Sequence, residues 1–503
     1  MANWKFFLAL AAVLVVVLVA ARVRVSRIGA VNTVSNVQVR VEVGEGAHVP
    51  PELAIVMERW PGQGEGASEG EVELGRLLFF DPLLSGNDEV SCASCHHPDR
   101  GFGDGRAHAV GASGVPLRRS APSLWNVAFR SHLMWDGRED SLELQMLQGP
   151  LFDPDEMGAE PEQLLGELEG NEEYGRLFEE VYGEVSLENV ARAIAAFQRM
   201  LVSRNSPFDR YAAGEFYALT GAQRRGFEVF RSPATNCIEC HELPTFSSDD
   251  FKIIGVRDDT GTFDAGRGGI TGEEGDVGAF AVPTLRNIAL SAPYMHNGIE
   301  PDLNGAISFY LNGGGDNLEI PRSRLDPKLR AFNLPTRDLE DLEAFLLSLT
   351  DESAVPAVPE RLPSGLAPVE RQDSPARKRV QEAAALPPGP PRTHYVTNGE
   401  SIQAAIDIAQ PGDTVVVEPG HYFESLDIDV ENLTLRGEGV VLVGRRFTPT
   451  GVHVRNNDVT LVGLTIEEFG DYTIHVQDAH NVRLENVTLN GIRVSGLTDD
   501  MAR

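Results

Sequence analysis

Cysteine is scarce: the chain has only four, all of them in two short units, Cys92-Ala93-Ser94-Cys95-His96 and Cys237-Ile238-Glu239-Cys240-His241. None is left over for a structural disulfide or a separate reactive thiol. Basic charge is also short, with 43 Lys and Arg against 75 Asp and Glu and a formal net charge of −32. A phosphate backbone attracts the opposite surface, so this balance argues against nucleic acid as a partner. A basic protein partner would be attracted instead, and the plainer alternative is acidity that only keeps the chain soluble. Long apolar runs are missing except for one, Phe6 to Ala21.

That run is short for a membrane-spanning helix, and Val19-Ala20-Ala21 offers the small residues that suit signal cleavage. Arg22, Arg24 and Arg27 lie after the run, an arrangement less usual for a cleaved signal. Segment 1–27 therefore reads as a signal peptide or a membrane anchor. The chain reads as exported or periplasmic, tethered to the cytoplasmic membrane if the segment is kept.

With 503 residues the chain exceeds one core, and roughly 150 residues per domain suggests about three units. Leu187, Val190, Ala191, Ile194, Phe197 and Leu201 recur at helical spacing, as do Leu339, Leu342, Phe345, Leu346 and Leu349. From Asp351 to Pro391 the chain turns rich in Pro, Ala and charge and reads as a semi-extended linker. Beyond it the pattern alternates. Asn432-Leu-Thr-Leu, Asp458-Val-Thr-Leu and Asn481-Val-Arg-Leu recur 26 and then 23 residues apart, which suits one supersecondary unit per repeat and a parallel β-helix. The stretch Ser401-Ile-Gln-Ala-Ala-Ile, with Pro411-Gly-Asp-Thr and Pro419-Gly-His-Tyr, resembles the cap and first coil of right-handed β-helix proteins. His421, His475, Asp478 and His480 there are a candidate metal or glycan site, against the plainer reading of scattered polar residues on coil surfaces.

Two thiols spaced to meet the two vinyl groups of a haem, followed at once by an imidazole that ligates iron, are what covalent haem attachment needs. Both Cys-x-x-Cys-His units meet that requirement. The rival is a four-cysteine zinc site, which the immediate His in each unit and the export segment disfavour. Two haems imply electron passage between irons and a difference between them. An iron with protein ligands on both faces suits electron transfer, and an open one can bind a small ligand.

The surrounding residues resemble the bacterial di-haem cytochrome c peroxidase family, including its methylamine-utilisation branch. The matching segments are Leu74-Gly-Arg-Leu-Leu-Phe-Phe-Asp-Pro-Leu-Leu-Ser-Gly, Trp135-Asp-Gly-Arg, Gly149-Pro150 with Glu156-Met157, Val282-Pro-Thr-Leu-Arg-Asn and Ala292-Pro-Tyr-Met-His-Asn-Gly. They span roughly residues 70 to 350. The implied fold is mainly α: two cytochrome c-like haem domains, a linker, and a partial right-handed parallel β-helix. The expected boundaries are 51–205 for the N-terminal peroxidatic haem domain, 206–352 for the electron-transfer haem domain, 353–392 for the linker and 393–503 for the β-helix repeats.

The resemblance implies two covalent haems c, on Cys92 and Cys95 with His96 as proximal ligand of the reactive iron, and on Cys237 and Cys240 with His241 at the relay iron. The family's second ligand to the relay iron falls at Tyr310, where peroxidases proper carry Met and the methylamine-utilisation branch carries Tyr. Locally Tyr310 also reads as a plain helix-face aromatic. The distal His of peroxidases that need reductive activation is replaced by Ala112, with His108 the nearest alternative, so the resemblance implies a reactive haem already open.

Glu156 matches the catalytic acid/base, although after Asp153-Pro154 it also reads as a helix N-terminal carboxylate. Gln145 matches a distal hydrogen-bonding residue, one residue out of the family's spacing to Pro150, and Trp135 matches the tryptophan placed between the haems. The family's inter-domain calcium would use the carbonyls of Ser291 and Pro293, but Ser120 stands where the family has Asn, which leaves calcium open.

The implied activity is reduction of hydrogen peroxide with electrons from a small donor cytochrome c or cupredoxin. The alternatives are a high-valent di-haem oxidase of a protein or organic substrate, as Tyr310 would imply, and a non-catalytic electron-transfer or haem-sensor protein with a β-helix binding module.

Overall fold

The computed structural model describes residues 66–372 and 391–490, apart from 216–217, 258–260, 445–447, 471, 477–478 and 480, with a few positions outside those spans such as Leu53, Trp60 and Val494. Segment 1–27 and the candidates Asp478 and His480 lie outside the described residues. Contacts divide the chain into a unit over Val49–Ala384 and one that contains Ala385–Arg503. Among the described residues no helix is long and apolar enough to cross a membrane.

The larger unit opens with α1 (Glu69–Phe80), started by a capping box in which Glu71 and Ser68 satisfy each other's backbone N–H. Its buried face, Leu74, Gly75, Leu78, Phe79 and Phe80, packs on α2 (Leu187–Arg199). Gly75 lets the two backbones touch: a Cβ there would stand 1.8 Å from the Ala193 carbonyl oxygen. The same device returns further along. Helices α3 (Gly221–Phe230) and α4 (Thr336–Leu347) pack together across Gly226, whose added Cβ would meet the Asp341 carbonyl at 1.9 Å.

The recurrence extends through the loops. Asn126 and Asn287 take the left-handed conformation at φ 60° and 59°, and Met134 and Met295 at 69° and 70°. Each Asn ties its loop to the strand-like run after the second helix of its pair: Asn126 Oδ1 accepts from Ser203 N at 2.9 Å and Asn287 Oδ1 from Asp351 N at 2.7 Å. Bridges Leu133 to Glu139 and Tyr294 to Glu300 close equivalent hairpins. The unit is thus one motif built twice, each copy with its own apolar core.

Residues 353–372, expected as the start of a linker, return to the first copy as a strap. Leu362 is fully buried in the core of α1 and α2. Arg76 Nη1 donates to Ala357 O at 2.9 Å, Asn171 Nδ2 to Pro363 O at 3.0 Å and Ser364 Oγ to Asp81 Oδ1 at 2.7 Å. The Pro/Ala-rich composition hid this because the strap has one deep apolar anchor, with Ala354, Val355, Val358 and Val369 only partly buried beside it, and its polar contacts are remote in sequence.

The second described unit is a parallel β-solenoid. Strands β1 (Thr393–Val396), β2 (Thr414–Val417), β3 (Thr434–Val443), β4 (Thr460–Glu467) and β5 (Arg483–Glu485) pair in sequence, so Leu435, Leu461 and Leu484 stack in one inward column. The repeated Asn432, Asp458 and Asn481 all have positive φ, between 54° and 58°, which explains the choice of Asn or Asp at each coil's turn. His475 pairs in register with His453, and His421 belongs to the other sheet, so the two described candidate histidines, His421 and His475, lie on different sheets. Helix accounts for only 33 % of the described residues. That is less than a mainly α fold implies, because long loops carry the motifs and the C-terminal unit, apart from the short helix Ile402–Ile408, is strand and turn.

Candidate functional site

The first Cys-x-x-Cys-His unit forms a single helical turn, Cys92–Cys95, at the wall of a cavity of about 510 Å³. Cys92, Cys95, His96, Trp135, Gln145, Glu156 and Met157 all line it. His96 Nδ1 lies 2.9 Å from the Phe102 carbonyl, so Nδ1 carries the proton and Nε2 is left as the ligand nitrogen. Burial pushes the Cys92 thiol up to about 12 and the Cys95 thiol to about 11.

The second unit lines a cavity of about 230 Å³ with Cys237, Cys240, His241 and Tyr310. His241 Nδ1 meets two carbonyls, Phe246 at 3.2 Å and Pro283 at 3.1 Å, and burial pulls the imidazole down to about 4. Tyr310, on the helix Leu303–Leu311, has its phenol pushed up by burial and then by the nearby Cys240 and Cys237. Its place on the cavity wall goes beyond a plain helix-face aromatic. The two Cys pairs line different cavities, and among the described residues no three His, Cys, Asp or Glu side chains gather as a metal cluster, so the four thiols do not assemble as a zinc site.

Whether these walls fit haem is tested by their unpartnered polar atoms. In the first cavity Trp125 Nε1, Arg130 Nη2 and Gln198 Oε1 are buried without a hydrogen-bond partner. A buried orphan donor is costly, and a guanidinium N–H and an indole N–H suit the carboxylates of a large flat macrocycle. Arg130 is otherwise fixed by Val282 O at 2.8 Å. Neither Trp125 nor Arg130 is conspicuous in sequence, since an orphan donor has meaning only once the cavity around it is known.

Glu156 sits half-buried, and desolvation, followed by repulsion from Asp153, raises its carboxyl above the usual range against the pull of Arg138. Its backbone carbonyl accepts from Ala112 N at 2.6 Å, and Gly111 leaves room for that approach, since a Cβ would meet the Glu156 carbonyl at 2.2 Å. The loop is thereby folded onto the Glu156 turn, and His108 is not among the residues lining the cavity. Gln145, on Leu142–Gln148, donates to Met134 Sδ at 3.6 Å.

Trp135 lines both cavities. Its Nε1 donates to Ser120 O at 2.9 Å, and its own carbonyl accepts from Ala281 N at 2.9 Å. Asp136 beside it pairs with Arg119 at 2.6 Å and Arg138 at 2.9 Å, and Arg119 also grips Asp264 from the second copy. His296, the counterpart of Trp135 in the duplicated hairpin, stacks on Phe280 at 3.6 Å. Ser120, Ser291 and Pro293, the positions matched to calcium, share the wall of the second cavity. Ser120 Oγ donates to the Met295 and His296 carbonyls at 3.1 and 3.2 Å, so it ties a loop instead of presenting an amide oxygen as Asn would.

The profile of the di-haem cytochrome c peroxidase family matches residues 69–216. The methylamine utilization protein MauG of Methylorubrum extorquens is 37 % identical over 295 residues, 58 % of this chain and 81 % of that protein. The cytochrome c551 peroxidase of Pseudomonas aeruginosa is 32 % identical over 297 residues, 57 % of this chain and 81 % of its own. Among solved structures, a MauG-like protein associated with microbial copper homeostasis superposes with a TM-score of 0.52 at 34 % identity, covering 58 % of this chain and 92 % of its own. The di-haem peroxidase BthA of Burkholderia thailandensis does so with a TM-score of 0.52 at 26 % identity, covering 68 % of this chain and all of its own. Two haem-attachment motifs on a duplicated helical frame and these relatives lead to one conclusion: the chain belongs to the di-haem cytochrome c peroxidase family and is an oxidoreductase of the peroxidase type.

Proposed function

We propose that this protein reduces hydrogen peroxide at the first cavity, taking electrons through the second from a small donor cytochrome c or cupredoxin. The observation that carries the reading is the asymmetry of the walls: Glu156 and Gln145 face the first cavity, Tyr310 faces the second, and Trp135 belongs to both. When bound, haem iron supplies the electrons and the site at which the O–O bond breaks.

The residues do the rest. His96 would hold the first iron from Nε2, with its ring oriented by the Phe102 carbonyl. Glu156, in its anionic form, takes the proton from the nearer peroxide oxygen and returns it to the leaving oxygen. Gln145 orients the bound oxidant from the neighbouring helix. Two electrons and two protons convert each peroxide to two waters, and Trp135 offers an oxidisable ring on the way between the cavities. His241 and Tyr310, both on the wall of the second cavity, would hold the second iron.

The test is an optical and electron-paramagnetic titration of the purified holoprotein, with turnover of peroxide against reduced cytochrome c. One high-spin and one low-spin haem with donor-dependent turnover is expected; two equally closed irons and no turnover would refute the reading. Tyr310→Phe should remove one ligand from the second iron, converting its low-spin signal to high-spin and leaving the first unchanged.

Tyr310 favours a second reading, oxidation of a protein or organic substrate, because a phenolate holds the relay iron at a lower potential than a thioether would. Substrate oxidation by peroxide in the absence of a donor separates the two. With Ser120 turned onto backbone carbonyls, the matched calcium position offers a poor set for a hard cation. Chelation with EGTA is therefore expected to leave turnover within about twofold; a larger loss that calcium restores would assign the ion a role. The N-terminal run supports an exported, periplasmic location, with the segment either cleaved or kept as an anchor.

A further inference from the structure

The two proximal loops are held by different means. In the second copy, His241 to Phe246 is pinned from within: Arg286 donates to the Pro244 carbonyl from Nε at 2.9 Å and Nη2 at 2.7 Å, and Thr284 Oγ1 donates to the Thr245 carbonyl at 2.6 Å. In the first copy, Ser123 Oγ repeats the Thr284 contact by donating to the Gly101 carbonyl at 2.7 Å. The position equivalent to Arg286 is Trp125, one residue before the left-handed Asn126 as Arg286 precedes Asn287. An indole cannot supply that grip: the Trp125 ring packs edge-on against Phe102 of the loop, and its Nε1 has no hydrogen-bond partner.

The strap supplies what is missing. Asp99, fully buried three residues after the proximal ligand, receives Arg371 Nη2 at 2.5 Å and the Gln372 backbone N–H at 2.8 Å. His97 accepts from Asp99 N at Nδ1, 3.2 Å, so its Nε2 carries the proton and donates to the Glu370 carbonyl at 3.0 Å. Arg100 Nε reaches Gln372 Oε1 at 2.9 Å. Every residue from His97 to Arg100 that has a polar side chain is thus bound to 370–372. The loop in turn presents the Phe102 carbonyl to His96 Nδ1, the bond that fixes the ring and raises its donor strength.

We propose that residues 370–372 are the proximal clamp of the first haem, with Arg371 a positioning residue that does there, from the far end of the unit, what Arg286 does at the second haem. The inference rests on His96 as ligand of the reactive iron. Loosening the clamp weakens the Nδ1 hydrogen bond, makes His96 a poorer donor and stabilises the ferrous state at that iron alone.

Spectroelectrochemical titration of the full holoprotein tests this with R371A, D99N, R371K and R361A. D99N leaves no buried unpaired charge and so remains informative if R371A folds poorly. Arg361, exposed elsewhere on the strap, pairs with Glu173 and serves as the control. R371A and D99N are expected to raise the midpoint potential of the first haem and slow its reaction with peroxide about tenfold, the usual cost of a lost outer contact. The second haem should be unmoved, R371K should recover most of the loss, and R361A should behave as wild type. A lower melting temperature with an unchanged first-haem potential, or equal shifts at both haems, would overturn the clamp. Failure of the underlying reading is distinguishable, since wild type itself would then show no peroxide-reactive first haem.

Discussion

Glu156→Gln is expected to lower peroxide turnover by about 10²- to 10⁴-fold, the range contributed by a positioned general acid/base. Glutamine keeps the size and the polar head but can neither take nor return a proton, so the loss should fall on turnover and not on haem content or peroxide affinity. The pH profile gives an independent check. Desolvation and Asp153 hold the carboxyl above its ordinary range, so in wild type the rate should rise with pH as the group ionises, along a limb displaced upward from that of an exposed Glu. In the variant that limb should vanish.

Stability runs in the opposite sense to activity. A carboxyl whose native value is raised binds its proton more tightly when folded, so its contribution is fully present below the unfolded value and is lost as pH climbs through the native one. At neutral pH the wild-type chain bears the cost of a partly buried anion that the glutamine variant does not. E156Q should consequently melt no lower than wild type near pH 7, and a large activity loss with an unchanged melting curve locates the defect in chemistry. Turnover within threefold of wild type would favour the non-catalytic electron-transfer or sensor alternative.

What could be read from the sequence was local chemistry with fixed spacing. Cys-x-x-Cys-His states its purpose within five residues, and Trp135, Gln145 and Glu156 carry the family's pattern close to the first motif, where the structure gathers them on one cavity wall. The solenoid was legible because each coil repeats a turn-forming Asn or Asp before an inward Leu. What stayed hidden were relations between distant segments. Arg371 is one charged residue in a charged, proline-rich run until Asp99 is seen fully buried against it. The duplicated loops carry Ser123-Leu-Trp-Asn and Thr284-Leu-Arg-Asn, where Ser and Thr make the same contact and the change from Arg to Trp alters the grip on the loop. Trp125 faces the first cavity where Arg286 grips the second loop, and the strap answers that difference.

The same comparison makes Arg286 the site of the largest expected stability loss. Its guanidinium is fully buried, paired bidentately with Asp209 at 2.8 Å for both contacts, bonded to the Pro244 carbonyl and lying over the rings of Trp60 and Phe246. Replacing it with Met would preserve much of the volume but strand the Asp209 carboxylate, which is itself buried and caps its helix through Ser206. Removing one partner of such a pair costs about 3–5 kcal/mol because the other charge is left uncompensated. R286M should therefore unfold the second haem domain well below wild type in thermal melts, and D209N in the same background should recover part of the loss by removing the stranded charge. Because Arg286 also holds the loop that presents Phe246 to His241, the surviving fraction should show a disturbed second-haem spectrum with the first intact. A melting temperature within a few degrees of wild type would mean that the ion pair is replaceable and that Thr284 alone secures the loop.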